Sequence, residues 1–260
     1  MEAEIEVVEP GHEIMTSDEQ IEGMTAFLEQ CGRVCYQSEA KGPPTAESSF
    51  RFVEAIVNRG HLSVAEHCAI SVLVTCSRSC SHQLVRHRIG AYSQESQRYV
   101  EYRDGRLRVI CPPSIGPLHP GVFRVGRVPT KNGVEERLLE VCPSGPEVSV
   151  LPNSAYEADG DKRHVTTLMS WVKAVTDAYS NYKALRTVGI PKEDARSVLP
   201  NATKTELVVT FNLRQWRHVF EQRAMNKSAQ WEIREIMNGI LDDFEEMIPA
   251  VFADLRKEKG

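Results

Sequence analysis

The sequence has no segment that would direct the chain into or through a membrane. No run approaches the roughly 18 apolar residues of a membrane span. The opening residues, MEAEIEVVEPGHE, are acidic and lack the apolar core of a signal peptide. The seven cysteines are an odd number without a Cys-x-x-Cys pair, which is unlike a disulfide framework. We therefore expect a reduced, cytoplasmic protein without a membrane partner.

Common catalytic motifs are also missing. The sequence has no Walker loop and no GxGxxG, so any nucleotide would be held by side chains rather than by a glycine-rich loop. No GxSxG elbow surrounds a serine. Internal repeats and low-complexity segments are absent too, so nothing indicates a repeat architecture.

The overall charge is acidic, but its distribution is uneven. The net charge of −5 argues against general nucleic-acid binding. Between residues 76 and 108, however, seven arginines accompany only three acidic residues. Two classes of protein stay open on this basis. One is an enzyme for a small anionic substrate, and the other is a module that binds single-stranded nucleic acid through arginine and aromatic side chains.

The most informative stretch is Arg86–Tyr99, which reads RHRIGAYSQESQRY. Three arginines and a histidine accompany six hydroxyl or amide side chains, and Glu95 is the one acidic residue. Planar guanidinium groups beside short donors suit a phosphate, and tyrosines could stack on a ring. The stretch therefore predicts a loop that forms a pocket for a phosphorylated, ring-containing ligand. A solvated, arginine-rich surface loop is the alternative.

Hydrophobic periodicity and capping residues predict the main elements of secondary structure. The predicted helices cover about residues 17–35, 45–58, 78–88, 164–185, 191–199, 214–223 and 228–247. The predicted strands cover about residues 4–8, 68–76 and 206–212. Residues 42–45, GPPT, are predicted as a loop.

Residues 104–163 have a different composition. Eight of the fourteen prolines lie between Pro112 and Pro152, so no long helix can cross this region. Asn132-Gly133 is a hairpin signal after the alternating segment Val122–Val128. We interpret the region as a partly β surface insertion at about 104–163 rather than a second domain.

Two further groups of residues allow more than one chemistry. His61, Glu66 and His67 are zinc-binding types, but His-x4-Glu-His matches none of the common zinc-protease spacings. They could instead bind a ligand or make hydrogen bonds at a strand end, and a metal-dependent nucleotide hydrolase stays open as a third class. Ser96 could lie near His87, yet no nucleophile motif surrounds it, so a binding serine is favoured over a nucleophile.

Arg86-His87-Arg88, followed by seven residues and Ser96, resembles the signature of flavin-dependent thymidylate synthases. The similarity continues in HLSVAEH (residues 61–67), DARSVLPNATKTE (194–206), the Asn-x-Arg of Asn212 and Arg214, Arg223, and AQWEIR (229–234). It covers most of the chain except residues 104–163, which look longer than the family usually carries. The motif often has Ser, Asn and Glu where this chain has Ala91, Ser93 and Gln94, and His218 stands where some members have Asn.

The resemblance implies one catalytic domain, residues 1–260, of α+β fold with a central, mostly antiparallel sheet and long flanking helices. It implies the reductive methylation of dUMP to dTMP. The carbon donor would be 5,10-methylenetetrahydrofolate, and FAD reduced by NADPH would be the hydride source. No metal and no nucleic acid would take part. Members of the family typically form homotetramers with sites shared between subunits.

The resemblance also assigns roles to individual residues. The residues implied to contact FAD are Ser63, Arg86, His87, Arg88, Gln94, Asn212, Leu213, Arg214 and His218. The residues implied to contact dUMP are Gln83, Leu84, Val85, Arg86, Gln94, Glu95, Ser96, Gln97, Arg98, Arg196 and Arg223. The implied catalytic residues are Arg223, His61 and Ser96, with His61 near the flavin and folate and Ser96 not needed as a covalent nucleophile.

The chemistry of the reaction supports a cation beside the uracil ring. Methylation at C5 needs electron density at that carbon, and a cation near N3 and O2 stabilises the enolate-like ring. An arginine does so without losing its own charge. We therefore assign Arg223 to the ring, and Ser96, Arg98 and Arg196 to the phosphate.

Overall fold

The computed structural model describes residues 3–38, 45–102, 105–116, 118–142, 148–151 and 163–257. These residues form helices and strands in the α+β class that the sequence predicts. None of the helices in these ranges combines the length and the apolar character that crossing a bilayer would demand. Most of the predicted GPPT loop lies outside the described residues.

The described strands, numbered in chain order, are β1 (Glu4–Val7), β2 (Gly11–Ile14), β3 (Ala69–Ser77), β4 (Ala91–Gln94), β5 (Arg106–Val109), β6 (Gly121–Thr130), β7 (Gly133–Val141), β8 (Val148–Val150) and β9 (Lys204–Asn212). The described α-helices are α1 (Asp18–Tyr36), α2 (Ala46–Asn58), α3 (Arg78–Leu84), α4 (Arg163–Thr187), α5 (Lys192–Ala195), α6 (Leu213–Arg223), α7 (Trp231–Met247) and α8 (Pro249–Phe252). Short 3₁₀ helices cover Leu62–His67 and Arg196–Val198.

Helix starts follow the capping residues of the sequence. Ser17 and Gln20 form a capping box at the start of α1, as predicted. Thr45 and Ser48 do the same for α2. The helix predicted for residues 78–88 ends earlier, at Leu84. Local capping signals therefore locate the starts of these two helices, whereas the end of α3 is decided by the contacts of the turn that follows.

The described chain forms two compact units. The first unit comprises the described parts of residues 1–10, 76–79 and 95–205, and the second comprises those of 11–75, 80–94 and 206–260. The strands are accordingly divided between two sheets, in the orders β5-β1-β6-β7-β8 and β2-β3-β9-β4. The single catalytic domain suggested by the family resemblance stays a prediction.

The first unit is built on the five-stranded sheet. Strand β1 pairs in parallel with β5 and antiparallel with β6, and β6, β7 and β8 pair antiparallel. The hydrophobic cluster contains Ile5, Leu107 and Phe123 from the strands and Leu168 and Val172 from α4. All five are fully buried, so α4 covers one face of this sheet.

The predicted insertion supplies part of this core. The hairpin signalled by Asn132-Gly133 is present as β6 and β7. However, Leu107 and Phe123 are fully buried, so these parts of residues 104–163 are not a surface excursion. The proline content had excluded long helices but said nothing about which strands join β1. The boundaries of the segment as an insertion stay a prediction.

The second unit is built on the four-stranded sheet, with β2 antiparallel to β3 and β4 antiparallel to β9. The strand predicted at about residues 206–212 is present as part of β9, and every second residue of β9 is buried. Four rings from the last helices pack together, those of Trp216, Phe220, Phe244 and Phe252. Trp216 Nε1 donates to the carbonyl of Ile70 in β3 (3.1 Å), which fixes α6 against the sheet.

The core position of β6 leads to a stability prediction. Phe123→Ala should lower the free energy of unfolding by about 3–5 kcal/mol, because it leaves a cavity beside β1 and α4. Val134→Ala in the same hairpin is the control; Val134 is 66% exposed, and its loss should change the free energy by less than about 0.5 kcal/mol. Chemical denaturation measures both. Equal effects would mean that β6 is not part of the core.

Candidate active site

The stretch Arg86–Tyr99 is not a loop throughout. Ala91–Gln94 forms β4, which pairs with β9 in the register Tyr92↔Val209. Gly90 precedes this strand where a side chain has no room, because a Cβ atom would lie 2.2 Å from the Phe211 ring. The loop prediction was therefore wrong for these four residues. Pairing with a strand more than a hundred residues away supplied the backbone partners.

Tyr92 fixes the turn that carries the Arg-His-Arg triplet. Its hydroxyl lies 2.9 Å from the Leu84 carbonyl and 2.6 Å from the His87 carbonyl. Burial raises the pKa of Tyr92, so the phenol keeps its proton and acts as the donor. Tyr92 of β4 thus links the end of α3 to the turn that follows it.

His87 and Arg223 form the central contact of the site. His87 is 8% exposed, and its Nε2 atom accepts a hydrogen bond from Arg223 Nε at 3.0 Å. Burial, as the largest cause, together with the nearby Arg223 and His218 lowers the pKa of His87 to about 4. The imidazole is therefore neutral at pH 7, with its proton on Nδ1.

The Arg223 guanidinium keeps most of its donors available. Among the described residues, its Nη1 and Nη2 atoms make no hydrogen bond to the protein. Arg223 is the last residue of α6, and the His218 ring lies 6.0 Å from the His87 ring in an edge-on arrangement. The planar fork is thus held at Nε and open on its other side.

A cavity of about 450 Å³ lies beside the start of α6. It is lined by Glu66, Ile89, Asn212, Arg214, Gln215 and His218. Glu66 and Arg214 form an ion pair at 2.5 Å, and Asn212 Oδ1 accepts from the backbone N–H of Gln215 at 2.8 Å as the cap of α6. Ile89 is 68% exposed. The walls therefore offer a cation, an imidazole and apolar surface to one ligand.

The other predicted flavin contacts differ in exposure. The side chains of Ser63, Arg86 and Arg88 are exposed, and Gln94 Nε2 donates to the buried hydroxyl of Ser81 at 2.9 Å. Leu213 is fully buried, and its N–H donates to the Cys68 carbonyl. The Leu213 side chain is therefore part of the core.

His61 has a partner that the sequence did not indicate. Its Nδ1 atom makes a hydrogen bond with the Tyr36 hydroxyl, and the two rings stack with centroids 5.9 Å apart. Tyr36 ends α1, and Gln37 then adopts a left-handed conformation (φ 45°). The end of α1 therefore orients the His61 ring.

The predicted substrate residues of α3 also lie in the second unit. Leu84 is fully buried and Val85 is half-buried, so the half-buried Gln83 offers the polar side chain of this group. Gln83 Nε2 donates to Gln230 Oε1 at 3.1 Å. Arg86, predicted to lie within this helix, is exposed just beyond its end at Leu84.

In the first unit, two of the predicted phosphate residues, Arg98 and Arg196, donate hydrogen bonds to Glu193. Arg98 Nε donates to Glu193 Oε2 at 3.0 Å, and Arg196 Nε donates to the Glu193 carbonyl at 3.1 Å. Ser96 Oγ accepts from the backbone N–H of Arg98 at 3.3 Å. Ser96, Arg98 and Arg196 are thus brought together, and Glu193, which the sequence reading did not single out, lies between the arginines.

Glu95 and Gln97 have structural partners. The Glu95 carboxylate accepts from the Tyr102 hydroxyl at 3.1 Å, and Gln97 Nε2 donates to the same hydroxyl at 3.4 Å. Burial raises the pKa of Tyr102 to about 12. These bonds hold the backbone of the segment that presents Ser96 and Arg98.

Comparison with known proteins gives the family. The sequence matches the family described as Thy1, thymidylate synthase complementing protein, over residues 19–250. The chain belongs to this family. The flavin-dependent thymidylate synthase of Mycobacterium sp. (strain KMS) is 35% identical over 236 residues, which cover 90% of this chain and 80% of the relative.

Two further comparisons agree. The flavin-dependent thymidylate synthase of Mycobacterium tuberculosis (strain ATCC 25177 / H37Ra) is 34% identical over 234 residues, again 90% of this chain and 80% of the relative. The crystal structure of the UMP/dUMP methylase PolB from Streptomyces cacaoi bound with 5-Br dUMP has a TM-score of 0.62 at 20% identity, over 96% of each chain. This structure shares the fold.

The state of His87 predicts a dependence of stability on pH. Its folded-state pKa of about 4 lies below the usual 6.5, so the unfolded chain binds more protons in this range and the stabilisation is lost as the pH falls from about 6.5 toward 4. Between pH 7 and pH 5, the free energy of unfolding of the wild type should fall by about 2 kcal/mol more than that of His87→Gln. Chemical denaturation at both pH values measures this difference.

His82→Gln is the matched control, because His82 is exposed on α3. Its loss of stability between the two pH values should equal that of the wild type. If His87→Gln loses as much free energy of unfolding between pH 7 and pH 5 as the wild type does, His87 is not the buried neutral acceptor described above.

Proposed function

We propose that this protein is a flavin-dependent thymidylate synthase that methylates dUMP to dTMP. The one-carbon unit comes from 5,10-methylenetetrahydrofolate, and FAD reduced by NADPH provides the reducing equivalents. Membership of the thymidylate synthase complementing family supports this function. The observation that carries the site assignment is the contact between Arg223 and His87 of the Arg-His-Arg triplet.

The donor set of the cavity fits a flavin nucleotide. Arg214 and His218 offer groups that bind phosphate oxygens, and exposed Ile89 offers apolar surface to a ring. We assign FAD to these residues together with Ser63, His87 and Asn212. When bound, the flavin supplies the hydride that completes the methyl group. His61, oriented by Tyr36, is assigned to the flavin and folate.

Arg223 is assigned to the pyrimidine. Its Nε is held by neutral His87, so Nη1 and Nη2 are the atoms that face a ligand. Guanidinium N–H groups directed at N3 and O2 stabilise negative charge on the uracil ring as C5 becomes nucleophilic. The charge of arginine is permanent, so this stabilisation does not depend on proton transfer.

Ser96, Arg98 and Arg196 are assigned to the phosphate of dUMP. Arg98 and Glu193 are each about half exposed, with side-chain exposures of 55% and 51%. An exposed ion pair of this kind is weak, so a phosphate dianion can replace the carboxylate as the partner of Arg98. Ser96 acts as a binding group rather than as a nucleophile.

The remaining features follow from the family. We propose a homotetramer with each site shared between subunits, and a cytoplasmic location. The seven cysteines all lie among the described residues and form no disulfide, which agrees with a reducing compartment. Gln94, which replaces the Glu common in the motif, donates to Ser81 and therefore keeps a hydrogen-bonding role without a charge.

The proposed function is tested with Arg223→Ala. Purified wild type should show a flavin spectrum and release intact FAD on denaturation. The variant should bind FAD and oxidise NADPH, but its tritium release from C5-labelled dUMP should fall on the order of a hundredfold or more, because one preorganised electrostatic donor is lost. Arg223→Lys should recover only part of this loss, because an ammonium lacks the planar fork.

Arg51→Ala is the control, because the Arg51 side chain is 74% exposed and pairs with Glu47 on the same helix; it should leave tritium release unchanged. Wild-type protein that binds no FAD at micromolar concentration would exclude the proposed function. Near wild-type tritium release from Arg223→Ala would remove Arg223 from its assigned role.

The ion pair of Arg98 leads to a separate prediction. Glu193→Gln keeps an acceptor for Arg98 Nε but removes the negative charge beside the assigned phosphate site. Affinity for dUMP should therefore rise about two- to fivefold at low salt, with a smaller gain at high salt because exposed charges are screened. Calorimetric titration at two salt concentrations measures this. An unchanged or weaker affinity at low salt would contradict the assignment.

A further inference from the structure

A chain of three polar side chains leads from the buried start of α7 to α3. Gln83 Nε2 donates to Gln230 Oε1 at 3.1 Å. Gln230 Nε2 in turn donates to Glu232 Oε2 at 3.5 Å, a long hydrogen bond. Glu232 is 1% exposed, whereas Gln83 and Gln230 are half-buried. The chain therefore connects a buried carboxylate with a residue of the assigned nucleotide site.

The stability of the helix does not explain this arrangement. Gln230 occupies the N-cap position of α7, where Ser, Thr, Asp and Asn are preferred because their side chains accept from the first N–H groups. Gln230 makes no such capping bond. Burying the Glu232 carboxylate is itself costly unless the group is hydrogen-bonded. Glu232 suits the first turn of α7 as an acidic residue, but capping does not account for Gln230.

The Glu232 carboxylate sets the donor–acceptor direction of the hydrogen bonds among these three side chains. Glu232 Oε2 accepts from the NH₂ group of Gln230, so the carbonyl of Gln230 faces Gln83. The NH₂ group of Gln83 faces this carbonyl in turn. Both amide orientations therefore follow from the acceptor at the end of the network. Among the described residues, Gln83 Oε1 has no hydrogen-bond partner.

We propose that Glu232 is a positioning residue that acts through Gln230 to present the carbonyl oxygen of Gln83 to the nucleotide. This inference rests on the proposed function, which assigns Gln83 to dUMP. An oriented carbonyl selects a hydrogen-bond donor on the ligand. On dUMP that donor is the 3′-hydroxyl of the sugar, because N3 of the ring is already assigned to Arg223.

The first experiment compares Glu232→Gln with Glu235→Gln. Both variants remove one negative charge from α7, but Glu235 is exposed. In Glu232→Gln the amide directions are no longer fixed, so the dissociation constant of dUMP should rise about tenfold, the effect of one oriented hydrogen bond, with FAD occupancy unchanged. Glu235→Gln should bind dUMP like the wild type. Equal dUMP affinity in both variants would overturn the proposal.

A second variant separates positioning from a structural role. Gln230→Ser places a preferred N-cap residue at the start of α7, so the melting temperature should stay the same or rise. It also removes the hydrogen bonds that link Glu232 to Gln83, so dUMP binding should weaken about as much as in Gln83→Ala. A variant that is stabilised and binds dUMP with wild-type affinity would overturn the proposal, even if Glu232→Gln fails to fold.

Nucleotide analogues identify the donor. We would titrate wild type, Gln83→Ala and Gln230→Ser with dUMP, N3-methyl-dUMP and 3′-deoxy-dUMP. 3′-Deoxy-dUMP should bind about tenfold more weakly than dUMP to the wild type, yet with little further loss of affinity in the two variants. N3-methyl-dUMP, which blocks the atom assigned to Arg223, is the control and should lose the same affinity in all three proteins. An equal loss for 3′-deoxy-dUMP in all three proteins would overturn the proposal. If the wild type itself binds neither FAD nor dUMP, the proposed function fails instead.

Discussion

One uncharged imidazole holds the candidate site together. Arg223 can be anchored through Nε only if His87 Nε2 has a free lone pair, and burial keeps it free by lowering the pKa of His87 to about 4. A protonated ring would place a second cation against the guanidinium. The surrounding turn serves this contact, since Tyr92 closes it onto α3 and Gly90 lets it approach Phe211. The result is an arginine held on one side and open on the other.

The key titratable and charged side chains are buried in one unit and exposed in the other. In the second unit the central histidine is buried, so its environment determines its protonation state and its geometry. In the first unit Arg98 and Glu193 are exposed, and their ion pair exchanges readily with other partners. In the proposed function, the fixed donor is assigned to the uracil ring, where charge develops during the reaction. The exchangeable pair is assigned to the phosphate, whose charge is already present.

Several features of the fold could be predicted because they are local. The capping residues Ser17 and Thr45 located the starts of α1 and α2, and Asn132-Gly133 located the hairpin of β6 and β7. The apolar segment ELVVTFN identified most of β9. In each case the residues that decide the structure lie within a few positions of one another. The pairing of β4 with β9 could not be predicted, because the short segment AYSQ has no periodic signal of its own.

The sequence by itself determined the family and its reaction, because the spacing of Arg86, His87, Arg88 and Ser96 and the later motifs can be read without coordinates. It also determined which residue types would serve the ligands. Only the tertiary structure decided their partners: Arg223 on His87, 136 positions away, Glu66 on Arg214, and Glu193 between Arg98 and Arg196. It also decided that β5 and β6 belong to a core. The physical reason is that a hydrogen bond between side chains depends on distance in space, which the folded chain alone defines.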